Sequence, residues 1–218
     1  MKKIRIGVLA SGRGSNFQAI IDAVNEGRLL AEVVLLITDN PSAFAIERAG
    51  RSGIEAFVML PRDYPSKDAY YRQIAAELTR RSVDLVVLAG FMRVVGKALI
   101  DAFPQRIMNI HPALLPSFPG LHGQGQAIAY GAKISGCTVH FVDEGVDTGP
   151  IILQAAVPVD DADTEDTLSE KILRFEHKIF PEAIRLFAEG RLSIEGRRVR
   201  VSGSVKADES LVSPVSGS

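Results

Sequence analysis

Asn109 and His111 close the run Arg106-Ile-Met-Asn-Ile-His, and Pro112-Ala-Leu-Leu-Pro116 follows at once. On a strand, side chains two apart share a face, so the Asn109 carboxamide and the His111 imidazole point together while Met108 and Ile110 point the other way. A hydrogen-bond donor and a proton-carrying ring then converge at a strand end, which marks a place for chemistry more than for packing. The group best placed to act on them is Asp147. It lies in His140-Phe-Val-Asp143-Glu144-Gly-Val-Asp147-Thr-Gly149-Pro150, a strand that runs into an acidic loop. If the loop carries Asp147 to His111, its negative charge favours the imidazolium and makes the ring a proton donor near neutrality. Gly149-Pro150 restricts how the chain leaves Asp147, whereas Asp143 and Glu144 taken singly read as solvated loop residues.

A second chemical element is Ser11-Gly12-Arg13-Gly14-Ser15-Asn16, placed directly after the first apolar strand and before the first helical pattern. Glycines let a backbone approach an anion closely, and the free N–H groups of a helix N-terminus bind phosphate with help from the helix dipole. A dinucleotide fingerprint would have a glycine where Phe17 stands, and no Gly-Lys-Ser/Thr follows. The segment therefore reads either as a phosphomonoester site or as a tight strand-to-helix turn. Asp39 ends the second strand, where a dinucleotide enzyme keeps its ribose-binding carboxylate, a role that fits this loop poorly.

The remaining histidines are His122 in a loop, His140 in a strand and His177 in the last helix. His140 alternates with Phe141 in a buried-looking run, so a hydrogen-bonded core role and a site role are equally open. No His-Glu-x-x-His or Cys-x-x-Cys spacing proposes a metal site, and no Gly-x-Ser-x-Gly elbow proposes a serine nucleophile. Cys137, the one cysteine, has no activating neighbour and reads as packing.

The elements that must hold these groups alternate. Ile4 to Ala10, Val33 to Thr38, Ile54 to Leu60, Val83 to Leu88, Arg106 to His111 and Cys137 to Val142 read as strands. Asn16 to Asn25, Pro41 to Arg51, Ser66 to Arg81 and Gln124 to Gly131 read as helices, which predicts a doubly wound α/β fold, a mostly parallel sheet with helices on both faces. Pro150 to Val159 adds a strand, and a long helix begins near Asp163 or Thr164 with Leu168, Ile172, Phe175 and Ile179 as its apolar stripe. Pro181 takes an amide partner from the His177 carbonyl, so a bend is expected beside Glu176. With 218 residues and 46% hydrophobic content the chain suits one domain over residues 1–200, followed by a mobile tail over 201–218. Net charge −1 offers no field for nucleic acid, and no signal or membrane-spanning stretch is visible, so a soluble cytoplasmic protein is expected.

Taken together, Gly12-x-Gly14-Ser15-Asn16, Leu88-Ala-Gly-Phe-Met92-Arg, Asn109-Ile-His111-Pro-x-Leu-Leu-Pro116, Pro119-Gly-Leu-His and Asp143-Glu-x-x-Asp147-x-Gly-Pro150 resemble the phosphoribosylglycinamide formyltransferases, folate-dependent enzymes of purine synthesis. The resemblance runs in order from the first strand to about Arg200. It implies the formyltransferase fold, with a Rossmann-like N-terminal half, 10-formyltetrahydrofolate as co-substrate and no metal. Asn109, His111 and Asp147 match the family's catalytic trio. Gly12, Gly14, Ser15 and Asn16 match its phosphate loop, and Glu176 the position that meets the glycinamide substrate. Met92, Arg93, Val94 and Val95, with Asn109 and the loop carrying Val142, Asp143 and Glu144, would face the folate. Lys67 aligns with a folate-contacting position that is often arginine in relatives. Methionyl-tRNA formyltransferase and formyltetrahydrofolate deformylase share the trio, but the first carries a further barrel domain and the second an N-terminal regulatory domain, whereas here the first strand begins within a few residues of Met1. The expected partners are small molecules, with the chain a monomer or homodimer.

Overall fold

A strand covered by helices on both faces is apolar on both, whereas a strand open to water on one face alternates. The computed structural model of the chain describes residues 3–203 and follows that rule. In chain order the elements are β1 (Ile4–Leu9), α1 (Ser15–Asn25), β2 (Ala31–Thr38), α2 (Phe44–Arg51), β3 (Ala56–Val58), α3 (Lys67–Arg80), β4 (Leu85–Leu88), α4 (Lys97–Ala102), β5 (Ile107–His111), α5 (Gly123–Tyr130), β6 (Ile134–Phe141), β7 (Ile151–Pro158), α6 (Glu165–Ala188), β8 (Leu192–Glu195) and β9 (Arg198–Val201). One sheet runs in the order β3-β2-β1-β4-β5-β6-β7-β9-β8. Pairing is parallel from β3 to β5, antiparallel at β5–β6 and β6–β7, parallel again at β7–β9 and antiparallel at β8–β9. The α/β, mostly parallel reading thus holds. β4 is wholly buried, while β7, near the far edge, alternates.

Two apolar layers cover the sheet. Phe17, Ile20 and Ile21 of α1 and Leu168, Ile172 and Phe180 of α6 fill one, and Tyr70, Tyr71, Ile74 and Leu78 of α3 fill the other with Leu99 of α4. These sets recur at helical spacing, which gives each helix a face to bury. Local signals set the ends. The Ser66 hydroxyl accepts from the Ala69 amide at the start of α3, and Thr164 and Thr167 cap the start of α6 reciprocally. α6 stays helical through Pro181 and turns Glu176 inward, leaving it 6% exposed.

Sequence and structure part at several places. α2 begins at Phe44 instead of Pro41, because the Asn40 side chain accepts from Ser42 N and its carbonyl from Ala43 N, making a turn of residues 40–43. The third strand shrinks to Ala56–Val58 at the sheet edge. α4 and the β8–β9 hairpin were not expected. Val201, taken as the start of a tail, is the last residue of β9, and the rest of that expectation, from residue 204 on, lies outside the described residues.

The strand order also defines where a ligand fits. β1 and β4 are neighbours whose chains leave toward opposite sides, to β2 and to β5, so their C-terminal ends open a crevice. Residues 11–16 follow β1, and residues 89–95 follow β4.

Candidate active site

On the β4 side of this crevice, at the C-terminal ends of β4 and β5, lies a cavity of about 600 Å³. Asn109, His111, His140 and Asp147 line it, as do Met92, Arg93, Val94, Val95, Val142 and Asp143. The antiparallel β5–β6 register sets Asn109 directly opposite His140 and His111 opposite Thr138, so the polar side chains gather on one face. The loop between β6 and β7 brings Asp147 over them. Its Oδ2 stands 3.3 Å from His111 Nδ1 and its Oδ1 3.4 Å from Asn109 Nδ2. The structure thus brings Asp147 to the Asn109–His111 pair read from strand spacing.

Backbone geometry makes this convergence possible. Asp147 has φ 54°, a left-handed conformation a non-glycine residue adopts only when its surroundings hold it there. Gly149 then passes so near β6 that a Cβ on it would lie 1.7 Å from the Phe141 carbonyl oxygen. The Asp143 carboxylate accepts from Gly145 N at 3.1 Å and from the Thr148 hydroxyl at 2.6 Å, closing the loop on itself. Arg197, in the turn between β8 and β9, donates to the Thr148 carbonyl at 2.8 Å from outside.

The protons can be placed from their partners. His140 Nδ1 donates to the Phe141 carbonyl at 2.9 Å, which leaves Nε2 to accept from Asn109 Nδ2 at 3.2 Å. At 3.6 Å the His140–Asp147 contact is too long for a strong hydrogen bond. His111 is 4% exposed and has an acceptor at each ring nitrogen, the Phe118 carbonyl at 2.8 Å from Nε2 and Asp147 at Nδ1. For Asp147, burial opposes the charge, yet the hydrogen bond from the Gly120 amide at 2.8 Å and the His111 ring hold its carboxyl below the ordinary carboxylate range. His140 is the member that sequence reading left undecided. Its side chain is 2% exposed, and only the strand register discloses that it faces Asn109.

The cavity wall at 92–95 is held from behind. Met92 N donates to the Ser11 hydroxyl at 3.1 Å, Arg93 pairs with Asp39 at 2.5 Å, and the Tyr71 hydroxyl donates to the Val94 carbonyl at 2.9 Å. Asp39 thus serves Arg93 and not a ribose. Two residues expected at the folate face are not among those lining this cavity. Glu144 turns away to Lys97 at 2.9 Å, and Lys67 opens α3 with its ammonium 5.9 Å from the Tyr71 ring centre; neither lines the cavity.

The glycine loop forms a separate centre. Gly14 caps α1 with φ 67° and no side-chain hydrogen bond, so the first amides of the helix face outward uncapped. A Cβ at Gly14 would meet Ala45 Cβ at 2.9 Å. Ala45 N donates to the Gly12 carbonyl at 3.2 Å and Arg48 Nε to the Arg13 carbonyl at 2.8 Å, so α2 clamps the loop. Beneath it, Asn16 Nδ2 donates to Glu176 Oε2 at 2.7 Å, and both residues are buried. Asn16 Oδ1 is buried with no partner, and burial pushes the Glu176 carboxyl up despite the Asn16 hydrogen bond. Gly12, Gly14, Ser15, Asn16 and Glu176 thus cluster, though outside the lining of the 600 Å³ cavity.

Comparison with known proteins identifies the family. The formyl transferase family matches residues 4–184, and the chain belongs to that family. Phosphoribosylglycinamide formyltransferase of Bacillus subtilis is 45% identical over 185 residues, covering 85% of this chain and 94% of that one. The crystal structure of glycinamide ribonucleotide transformylase 1 from Symbiobacterium toebii is 57% identical with a TM-score of 0.90, over 91% of this chain and 94% of that one. Against the trifunctional purine biosynthetic protein adenosine-3 of Drosophila melanogaster, identity is 46% over 191 residues, 87% of this chain, and the chain spans 14% of that protein's length. Within the family the chain belongs with the phosphoribosylglycinamide formyltransferases.

Proposed function

We propose that the protein transfers the formyl group of 10-formyltetrahydrofolate to the amine of 5'-phosphoribosylglycinamide, giving the N-formyl ribonucleotide and tetrahydrofolate. The observation that carries this reading is the placement of Asp147 between His111 at 3.3 Å and Asn109 at 3.4 Å, on the floor of a cavity adjoining an uncapped helix N-terminus. The amines and carbonyls of acyl transfer need such an arrangement. As the substrate amine attacks the formyl carbon, negative charge grows on the formyl oxygen, and donors already in place lower the barrier because no solvent has to reorganise.

Each residue has a part in that step. His111 has acceptors at both ring nitrogens, the pattern a doubly protonated ring makes. The formyl oxygen replaces the Phe118 carbonyl at Nε2, while Asp147 steadies Nδ1. Asn109 gives one N–H to His140 and has the other in a loose 3.4 Å contact, free to turn to the oxyanion. Collapse of the tetrahedral intermediate breaks the bond to N10 of the folate. The proton lost by the amine reaches N10 through His111 or a bridging water, so nothing becomes covalently attached to the protein. The uncapped amides of Ser15 and Asn16 hold the phosphate, Glu176 meets the glycinamide, and the wall at 92–95 with the 142–146 loop receives the folate.

The test is direct. Purified protein is incubated with the ribonucleotide and 10-formyltetrahydrofolate, and products are separated. N-formyl ribonucleotide and tetrahydrofolate in equal amounts support the reading. Formate release independent of the ribonucleotide would make the protein a hydrolase, and binding without turnover would leave it a nucleotide-binding module.

A further inference from the structure

We propose that Ser11 is a positioning residue that couples the two substrate sites, so that a ribonucleotide on the phosphate loop tightens the folate cradle and the reverse. This rests on the formyl-transfer reading above. The phosphate loop and the cavity share no lining residue, and among the described residues no hydrogen bond joins residues 12–16 to a cavity-lining residue. The connection runs through Ser11. Its N–H donates to the Gly90 carbonyl at 3.0 Å, its hydroxyl accepts from Met92 N at 3.1 Å, and its carbonyl accepts from Asn40 Nδ2 at 3.1 Å. All three polar groups of one half-buried residue are therefore spent on tying the end of β1 to the segment after β4 and the turn after β2.

The coupling follows from what each side leaves exposed. Met92 is 64% exposed and Val94 50% exposed, so the cradle gains little from burial and depends on its backbone anchors. Gly12, next to Ser11, is exposed with open space around it. An anion that docks on the amides of Ser15 and Asn16 restricts the loop, and the hydroxyl then holds the Met92 amide in one place for an incoming folate. A ligand that orders a segment spares the second ligand that cost, which is positive cooperativity without a large movement. Alanine at 11 keeps the N–H and carbonyl bonds and deletes only the contact to Met92. Threonine restores the hydroxyl.

The test uses tetrahydrofolate, which carries no formyl group and so gives no turnover. Its Kd is measured by calorimetry on the whole protein with and without saturating 5'-phosphoribosylglycinamide, and the ratio of the two values is the coupling factor. The expected ratio for the natural sequence is about fivefold or more, the usual lower range for coupled sites. Ser11→Ala should bring it close to one while the ribonucleotide alone binds with nearly its normal Kd, and Ser11→Thr should retain it. An unchanged ratio in Ser11→Ala, or a ratio of one in the natural sequence, overturns the proposal. Should Ser11→Ala fail to fold by circular dichroism, Asn40→Ala, which frees the Ser11 carbonyl, must lower the ratio, and an unchanged value there counts equally against it. Failure of the functional reading is distinct, because it is read in the formyl-transfer assay on the natural protein, as formate release or binding without product, and not in the ratio of Kd values.

Discussion

The two centres of this molecule are built in opposite ways. The glycine loop is a contiguous stretch whose shape comes from the backbone: a glycine at positive φ, uncapped helix amides, and carbonyls clamped by α2. The polar cluster in the cavity takes Asn109 and His111 from β5, His140 from β6 and Asp147 from the following loop, and holds them by side-chain contacts across an antiparallel pair. A backbone site tolerates changes of side chain but not of conformation. A side-chain site has the reverse sensitivity, because each member's position depends on the others.

Substitutions can break or sharpen that contrast. The largest effect is expected from His111→Ala and Asn109→Ala, each lowering kcat on the order of 10²–10³-fold with the KM for the ribonucleotide nearly unchanged. Steady-state kinetics with near-normal turnover in either variant would break the assignment. Next comes Asp147→Asn, for which kcat should fall roughly tenfold or more as His111 loses its charged partner. This variant also tests linkage. Because the folded carboxyl lies below its ordinary 3.8, ionised Asp147 stabilises the fold above that pH, and this contribution is lost as pH falls through the folded value. Denaturant midpoints should therefore drop less on acidification in the variant than in the natural protein.

On the backbone side, Gly14→Ala should raise the KM for the ribonucleotide several-fold and cost about 1–2 kcal/mol of stability, since alanine resists positive φ and would press on Ala45. Ser15→Ala, which leaves the amide in place, should do much less, and the reverse ranking of the two would show that side chains carry the phosphate. The smallest effect concerns Glu176. Its carboxyl is raised by burial, so the fold is most stable with Glu176 neutral at low pH and loses that contribution as pH rises through the raised value. In Glu176→Gln the denaturant midpoint should vary less between about pH 4 and 8. An identical profile for the two proteins would mean that Glu176 is already solvated.

How much could be read beforehand follows the same division. The Ser11–Asn16 loop and the Asn109–His111 pair were legible because their geometry is local, set by glycine, by a helix start and by the two-residue repeat of a strand. Asp147 was legible only as a residue whose loop is constrained by Gly149-Pro150. His140 was not, because its role depends on the partner register that sets it opposite Asn109. Glu144 and Lys67 were placed at the folate face by resemblance, yet each side chain has a nearer attraction in Lys97 and the Tyr71 ring. The β8–β9 hairpin had a signal in Leu192-Ser-Ile-Glu-Gly-Arg-Arg-Val-Arg-Val201, alternating runs about a glycine. Its strands are four residues each, with charged residues on one face and few apolar ones on the other, so it was not read as a hairpin.

That hairpin has a consequence for how the protein becomes active. Through Arg197 and the Thr148 carbonyl it props the loop that carries Asp147, and it does so from a stretch made after β1 to α6. A growing chain emerging N-terminus first can lay down the glycine loop early. The loop that carries Asp147 gains that prop only once these late residues have emerged, so a chain that stops before the hairpin has the loop without its outer support.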